Sequence, residues 1–344
     1  MFSASLVMAV VALALPAQQA ASAGSTPEVP LGLPELPVPA DNALTAAKVE
    51  LGKQLFFDKR LSKDGSAACE TCHLPELGWT DAKPFSTKVG GELNTRHTPT
   101  LWNVAYYPKL YWDGRAEGLE KQVIAAWKAQ MGADPDAIAK KLVEVPAYKQ
   151  AFEASFGGAP TADAVVKALA CFVRTLLSGN SPWDRYEHGD QKAVSADAVA
   201  GFQVFKEAAS CSLCHAPPFY TDTLFHNVGI GSDAAKPDLG RGKIVSDLAQ
   251  KENRPLTADE QKLMGAFKTP GLRSITETGP YFHDGRFASL DDAVDFMLKG
   301  GIANPNLDVN LKAKQLSADQ RRQLIEFLKS LTPQKKPFTR PAIP

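Results

Sequence analysis

Two short strings of the form Cys-x-x-Cys-His constrain this chain more than any other feature. They occupy residues 69–73 and 211–215 and use four of the five cysteines in the 344-residue sequence. The two thiols of such a string can form thioethers with the vinyl groups of one haem, while the adjacent histidine binds the iron from one face. The sequence therefore predicts two haem c groups, held by Cys69, Cys72, His73, Cys211, Cys214 and His215.

Zinc sites and disulfides are the alternative uses of paired cysteines. A structural zinc needs four ligands at tetrahedral corners, and each string places its histidine directly against a cysteine, which hinders such closure. Disulfides are common in exported proteins, but the histidine after both pairs favours haem. The fifth cysteine, Cys171, lies in an apolar helical segment and is predicted to be a buried free thiol without chemistry.

The first residues are typical of an export signal. An apolar run over 6–15 is followed by small residues that end in Ala-Ser-Ala at 21–23. The run is too short to span a bilayer, although no lysine or arginine precedes it; a buried helix is the alternative. We expect residues 1–23 to be a signal peptide, the protein to work in the periplasm, and no membrane span to follow.

The net charge of the chain argues against strongly anionic partners. The chain has 38 Lys and Arg residues against 38 Asp and Glu residues. This zero balance argues against nucleic acid as a partner and against an anionic membrane surface.

Helical periodicity dominates the sequence, and it begins near residue 43. Ser181 and Pro182 are expected to break the chain, residues 216–280 to be irregular, and no strands to pair. Further helices are predicted over 117–130, 135–142, 162–177, 199–206, 289–298 and 317–331.

The two halves repeat one order of features. Each has a helix, a Cys-x-x-Cys-His string, a long loop, an Asp-Gly-Arg triplet (113–115 and 284–286) and another helix. This order predicts an internal duplication with one haem per copy. We expect an N-terminal domain over 24–190 and a C-terminal domain over 191–344.

Four longer motifs carry a family resemblance. They lie at residues 96–103, 111–120, 180–186 and 267–285, and they include Arg-His-Thr-Pro-Thr-Leu-Trp-Asn and Tyr-Trp-Asp-Gly-Arg-Ala. In order and spacing the chain resembles the bacterial dihaem cytochrome c peroxidases over about residues 43–332. The MauG-type dihaem oxidases share this frame.

The resemblance implies a mainly α fold of two cytochrome c-like domains, each with one covalently bound c-type haem. The N-terminal haem, with His73 as its proximal ligand, would be the peroxide site. The C-terminal haem would accept electrons, with His215 and Met297 as iron ligands. Met297 lies fourteen residues after His283, where peroxidases of this family have Met and MauG-type oxidases have Tyr. A core methionine is the alternative interpretation of this residue.

Two further residues take roles from the resemblance. Glu120 matches the distal acid–base carboxylate, and a proton must indeed move between the peroxide oxygens as their bond breaks. A solvated glutamate in the first turn of a helix is the alternative. Trp102 matches an aromatic residue between the haems and would relay electrons, or simply pack in the core.

The chain also departs from the family pattern. Leu110 stands where the family has a distal Gln, and no histidine lies between residues 74 and 96 to cap the N-terminal iron. His97 replaces the Asn of a calcium site between the haems. Imidazole is a poor calcium ligand, so the candidate calcium rests on the carbonyls of Thr278 and Pro280.

These features predict an enzyme that reduces hydrogen peroxide to water with electrons from a small redox protein, a cytochrome c or a cupredoxin. A MauG-like oxidase that modifies a partner protein is the alternative. A non-catalytic dihaem electron carrier is the third possibility. A homodimer is the candidate oligomeric state.

Overall fold

The computed structural model describes residues 28–334 and 337–344, so the predicted signal peptide lies outside the described residues. The described chain is mainly helical, as predicted, with long loops between the helices. The helices are α1 Ala46–Phe56, α2 Leu119–Met131, α3 Pro135–Val143, α4 Pro146–Phe156, α5 Ala162–Arg174, α6 Pro182–Glu187, α7 Ala196–Lys206, α8 Arg241–Lys251, α9 Ala258–Lys262, α10 Leu290–Leu298 and α11 Ala318–Ser330.

The same helix pair occurs once in each half. Helix α1 packs on α5, and α7 packs on α11. Each crossing needs a glycine: a Cβ on Gly52 would lie 1.9 Å from the carbonyl oxygen of Ala168, and one on Gly201 would lie 1.9 Å from that of Gln323. Both glycines precede a buried phenylalanine by four residues, one helical turn. This repetition agrees with the predicted duplication.

The two Asp-Gly-Arg triplets form similar turns. Strands β1 Lys109–Leu110 and β2 Ala116–Glu117 pair antiparallel around the first triplet, and Tyr281 bridges Phe287 around the second. The expectation of no paired strands is wrong here, and also for β3 Phe225–His226 with β4 Phe267–Lys268. Strands of two residues are too short to show a period of two in the sequence.

Most predicted helices are confirmed, and their starts are capped as the sequence suggests. The side chains of Ser289 and Ser317 accept hydrogen bonds from Asp292 N–H and Gln320 N–H. The predicted break at Ser181 is instead the start of α6. Ser181 forms a capping box with Asp184, and the proline that follows suits the first helical position.

Three further helices were missed. Helix α4 follows α3 after a short turn and buries Tyr148 and Phe152. Helices α8 and α9 lie inside the segment that was expected to be irregular. The buried stripe of α8 is Gly242, Val245 and Ala249, whose mostly small side chains give little hydrophobic signal, and α9 buries no residue at all.

The structure has two main hydrophobic clusters, one in each half. Trp183 and Tyr186 of α6 pack in the second cluster. Helix α6 therefore contributes to the second hydrophobic cluster, and the boundary between residues 190 and 191 stays a prediction. At the other end, Phe338 packs in the first cluster, so residues 337–344 return to the N-terminal half.

A third, smaller hydrophobic cluster packs the segment before α1 against α5. Leu36 and Leu44 pack there with Cys171, which is fully buried and unbridged, as predicted. Among the helices of residues 28–334 and 337–344, none is long and apolar enough to cross a membrane.

Candidate functional site

The first Cys-x-x-Cys-His string folds into a tight turn. Residues Cys69–Thr71 form a 3-10 helix, and the His73 backbone N–H donates to the Cys69 carbonyl at 3.1 Å. The turn sets both thiols and the imidazole on one wall of a cavity. His73 Nδ1 donates to the carbonyl oxygen of Trp79 at 2.8 Å.

This bond decides what the imidazole can do. A carbonyl only accepts hydrogen bonds, so Nδ1 carries the hydrogen. Burial lowers the pKa of His73 below its ordinary value, which outweighs the opposite effect of the Trp79 carbonyl. In the resulting neutral ring, Nε2 holds a lone pair that is free to bind iron.

The second string repeats the first. Residues Cys211–Leu213 form the same 3-10 turn, and His215 Nδ1 donates to the carbonyl oxygen of Tyr220 at 2.8 Å. Burial also lowers the pKa of His215. Each half therefore offers two unbridged cysteines and one correctly oriented neutral imidazole, a donor set that fits a covalently attached haem.

Zinc fits less well. Within the described residues one group of three candidate ligands occurs, Cys214, Asp222 and His226. His226 Nδ1 lies 2.5 Å from a carboxylate oxygen of Asp308, and its Nε2 lies 2.8 Å from one of Asp222. Because carboxylates accept from both ring nitrogens, the ring carries both hydrogens and has no lone pair for a metal.

The first cavity encloses about 410 Å³ beside His73. Helix α2 supplies one wall, and the lining residues recur every three or four positions, as expected for one helix face. They are Leu119, Gln122, Val123, Ala126, Trp127, Gln130 and Met131.

The second cavity, beside His215, encloses about 230 Å³. Met297 of α10 lines it, so the structure brings together the two residues expected to bind the second iron. His283 also lines this cavity and stacks on Phe267, with ring centroids 3.5 Å apart.

Comparison with known proteins identifies the family. The family model described as di-haem cytochrome c peroxidase matches residues 46–192. The chain is 40% identical to the methylamine utilization protein MauG of Methylorubrum extorquens, over 90% of this chain and 85% of that protein. It is 36% identical to the cytochrome-c peroxidase IdrP1 of Denitromonas iodatirespirans, over 95% and 92%. The chain belongs to the di-haem cytochrome c peroxidase family.

A solved structure supports the same assignment. A MauG-like protein associated with microbial copper homeostasis superposes with a TM-score of 0.79 at 27% identity, over 90% of this chain and 96% of that one. The chain is thus an enzyme of the di-haem peroxidase family, and membership implies two haem c groups.

Glu120, the expected acid–base residue of this peroxidase, is not among the described residues that line the first cavity. Its direction on the helix falls between those of Trp127 and Met131, which do line the cavity, so it is hydrogen bonding rather than helical position that holds its carboxylate elsewhere. Arg174 Nη2 donates to both its carboxylate oxygens, at 2.7 and 2.8 Å, and Asn42 Nδ2 donates at 2.9 Å. Burial raises the pKa of Glu120, but these hydrogen bonds more than offset it, and the pKa lies below its ordinary value.

The polar side chains on the lining face of α2 are Gln122 and Gln130. They are eight residues apart, about two turns, and the Oε1 atom of Gln130 is buried without a hydrogen-bond partner. Leu110 lines the same cavity, as expected for the position that lacks a distal glutamine. Neither glutamine was predicted from the sequence, although the helical period of α2 places both on the face of Leu119.

Trp102, the predicted electron relay, is one of the tryptophans that line the cavities. It lines the first cavity only, whereas Trp112 lines both cavities. The Trp112 indole N–H donates to the carbonyl of His97 at 2.8 Å, and the Trp112 carbonyl accepts from Lys268 N–H at 2.8 Å. Trp112 therefore contacts both cavities, and the relay role of Trp102 stays a prediction.

His97 is buried and joins the two halves. Its backbone N–H donates to the His283 carbonyl at 2.7 Å, and its Nδ1 donates to the Lys83 carbonyl at 2.7 Å. The ring offers no oxygen ligand, and calcium prefers oxygen. The residues therefore fit calcium poorly, and Thr278 and Pro280 remain predictions.

Proposed function

We propose that this enzyme reduces hydrogen peroxide to two waters at the first cavity, using two protons and two electrons. The observation that carries the proposal is the contrast between the cavities. Both present the same imidazole, but the first has an amide-lined wall, and the second has the Met297 thioether. An iron with an open face is suited to catalysis, and one with two strong ligands is suited to electron transfer.

The peroxide would meet hydrogen-bonding groups of α2. When bound, the haem supplies the redox chemistry that cleaves the O–O bond. The carboxamide of Gln122 or of Gln130 can donate to one peroxide oxygen and accept from the other. Amides do not ionise near neutral pH, so the protons would come from water in the cavity rather than from a carboxylate.

Electrons would arrive at the second cavity from a small periplasmic redox protein, a cytochrome c or a cupredoxin. Trp112, which lines both cavities, is the best-placed side chain for a relay. The periplasmic location and a homodimeric state belong to the same proposal.

A second candidate is a MauG-like oxidase, which would use peroxide to oxidise a side chain of a partner protein. Two observations favour it: no carboxylate stands beside the two glutamines on the cavity face of α2, and the chain is 40% identical to a protein named MauG. Met297 favours the peroxidase, because a thioether ligand raises the potential of a haem that must accept electrons.

Peroxide consumption by the fully oxidised protein tests the proposal. We expect a high-spin ferric EPR signal as isolated, reaction with peroxide without prior reduction, and steady turnover with reduced cytochrome c or cupredoxin. Stoichiometric reaction with peroxide but no donor turnover would favour the MauG-like oxidase. Purely low-spin iron that is inert to peroxide would contradict both, and His97 would be the first ligand to suspect.

A further inference from the structure

The C-terminal segment crosses from one half of the molecule to the other. Helix α11 ends in the second hydrophobic cluster, yet Phe338 packs in the first. Its ring stacks on Phe57 at a centroid distance of 5.5 Å and meets Trp79 edge-on at 5.1 Å. We call residues 337–344 the tail.

The tail also contacts the first haem-attachment string itself. Arg340 Nε donates to Glu70, the residue after Cys69, at 2.7 Å. Its two terminal nitrogens donate to the two carboxylate oxygens of Glu76, at 2.5 and 3.0 Å. One guanidinium thus ties the string to the loop that follows it.

These two contacts converge on His73. Trp79, against which Phe338 packs, supplies the carbonyl that holds His73 Nδ1, and Glu70 lies in the turn that carries the histidine. The tail therefore contacts both segments that orient the imidazole, the turn that carries His73 and the loop that carries the Trp79 carbonyl.

At the second site, the ring contacts from the other half that the described residues show are made by the neighbouring Phe219, which packs on Tyr106 and Tyr107, and not by the residue that holds the histidine. Tyr220, which holds His215 in the same way, packs on Phe205 of α7 and Phe327 of α11, both from its own half. The N-terminal site already has the equivalent contact from Phe172 of α5. The tail is an addition to one copy of the duplicated unit.

We propose that Phe338 and Arg340 are positioning residues of the N-terminal haem site. They hold the attachment turn and the Trp79 carbonyl in place and so set the orientation of His73. The inference rests on the proposed function only in taking His73 as an iron ligand. Loss of a group that orients a histidine ligand typically lowers activity about 10- to 100-fold, whereas an exposed ion pair contributes little to global stability.

The test compares Arg340→Ala with a matched variant, Arg254→Ala. Arg254 also bridges two glutamates, Glu252 and Glu260, at 2.7–2.8 Å, but in the other half. Both are made in the full chain with two haems, verified by mass spectrometry. The EPR spectrum and the midpoint potential of each haem are then measured.

We expect Arg340→Ala to alter the spectrum and potential of the N-terminal haem only, to slow its reaction with peroxide about tenfold, and to be partly rescued by Arg340→Lys. Arg254→Ala should change neither haem. Phe338→Ala should act in the same direction as Arg340→Ala. The inference is overturned if Arg340→Ala leaves the N-terminal haem unchanged or affects both haems equally. If its spectrum responds as expected while no form of the protein reduces peroxide, the proposed function fails and the inference stands.

Discussion

The two cavities share the geometry of their Cys-x-x-Cys-His turns and differ in the wall that faces each turn. In both, a 3-10 turn carries the string, and the histidine Nδ1 donates to a carbonyl at 2.8 Å. One cavity is then completed by Gln122 and Gln130, the other by Met297. The difference teaches that both copies of the duplicated unit keep the same turn and histidine geometry, while the helix after each Asp-Gly-Arg triplet, α2 or α10, carries different side chains into its cavity.

The largest effect is expected for the glutamines of α2 that line the first cavity. Gln130→Leu keeps the side-chain volume but removes the hydrogen-bonding group, and the reaction with peroxide should slow about a hundredfold. Gln130→Glu places an ionisable group at the same position and should speed the reaction. Stopped-flow absorbance measures both, and Gln150→Leu, on the exposed surface of α4, is the control. Equal rates in all variants would mean that α2 does not face the peroxide.

The second cavity is tested at Met297. Met297→His should lower the potential of the C-terminal haem by about 120 mV, roughly a hundredfold in the equilibrium for electron uptake. Donor-dependent turnover should slow about tenfold, while the direct reaction with peroxide is unchanged. Redox titration provides the measurement, with Met264→His as the control, since Met264 lines neither cavity. An unmoved potential would make Met297 a core residue.

Substitution of Trp112, which lines both cavities, should have a smaller effect than substitution of Met297. Trp112→Phe keeps an aromatic ring but removes the indole N–H that bonds His97, and electron exchange between the haems should slow several-fold. Trp102→Phe should leave it unchanged, because Trp102 lines one cavity only. Rapid mixing of half-reduced protein with peroxide follows the exchange. The reverse ranking would favour Trp102 as the relay.

The smallest effect on turnover is expected at Glu120. Glu120→Gln should leave the rate within about twofold, far from the hundredfold or more lost with a general acid–base residue. Stability should fall instead, by about 2 kcal/mol at neutral pH, because Arg174 is left buried without its carboxylate. The folded pKa of Glu120 lies below its ordinary value, because the hydrogen bonds from Asn42 and Arg174 outweigh the effect of burial. The stabilisation is therefore fully present above the pKa of a glutamate in the unfolded chain, about 4.3, and is lost as the pH falls through the lower folded pKa.

Urea unfolding of the wild type and of Glu120→Gln between pH 3 and 8 measures the difference in their free energies of unfolding. The gap between wild type and variant should close at the acidic end. A stable variant that has lost turnover would return Glu120 to the acid–base role.

The sequence by itself determined the two haem-attachment strings, the helical class, the duplication and the family frame. These depend on local spacing: five consecutive residues make an attachment turn, and apolar periodicity makes a helix. The sequence also predicted that Met297 lies beside the second cavity, because Met297 occupies the position at which peroxidases of the family have a methionine.

Only the tertiary structure decided which side of each element faces a cavity. Glu120 and Gln122 are two residues apart on one helix, yet one meets Arg174 and the other meets the cavity. Trp102 and Trp112 lie in one loop region, yet only Trp112 reaches both sites. The return of Phe338 to the N-terminal core joins residues more than 250 positions apart. Such choices follow from the packing of distant segments, for which a single sequence contains no local signal.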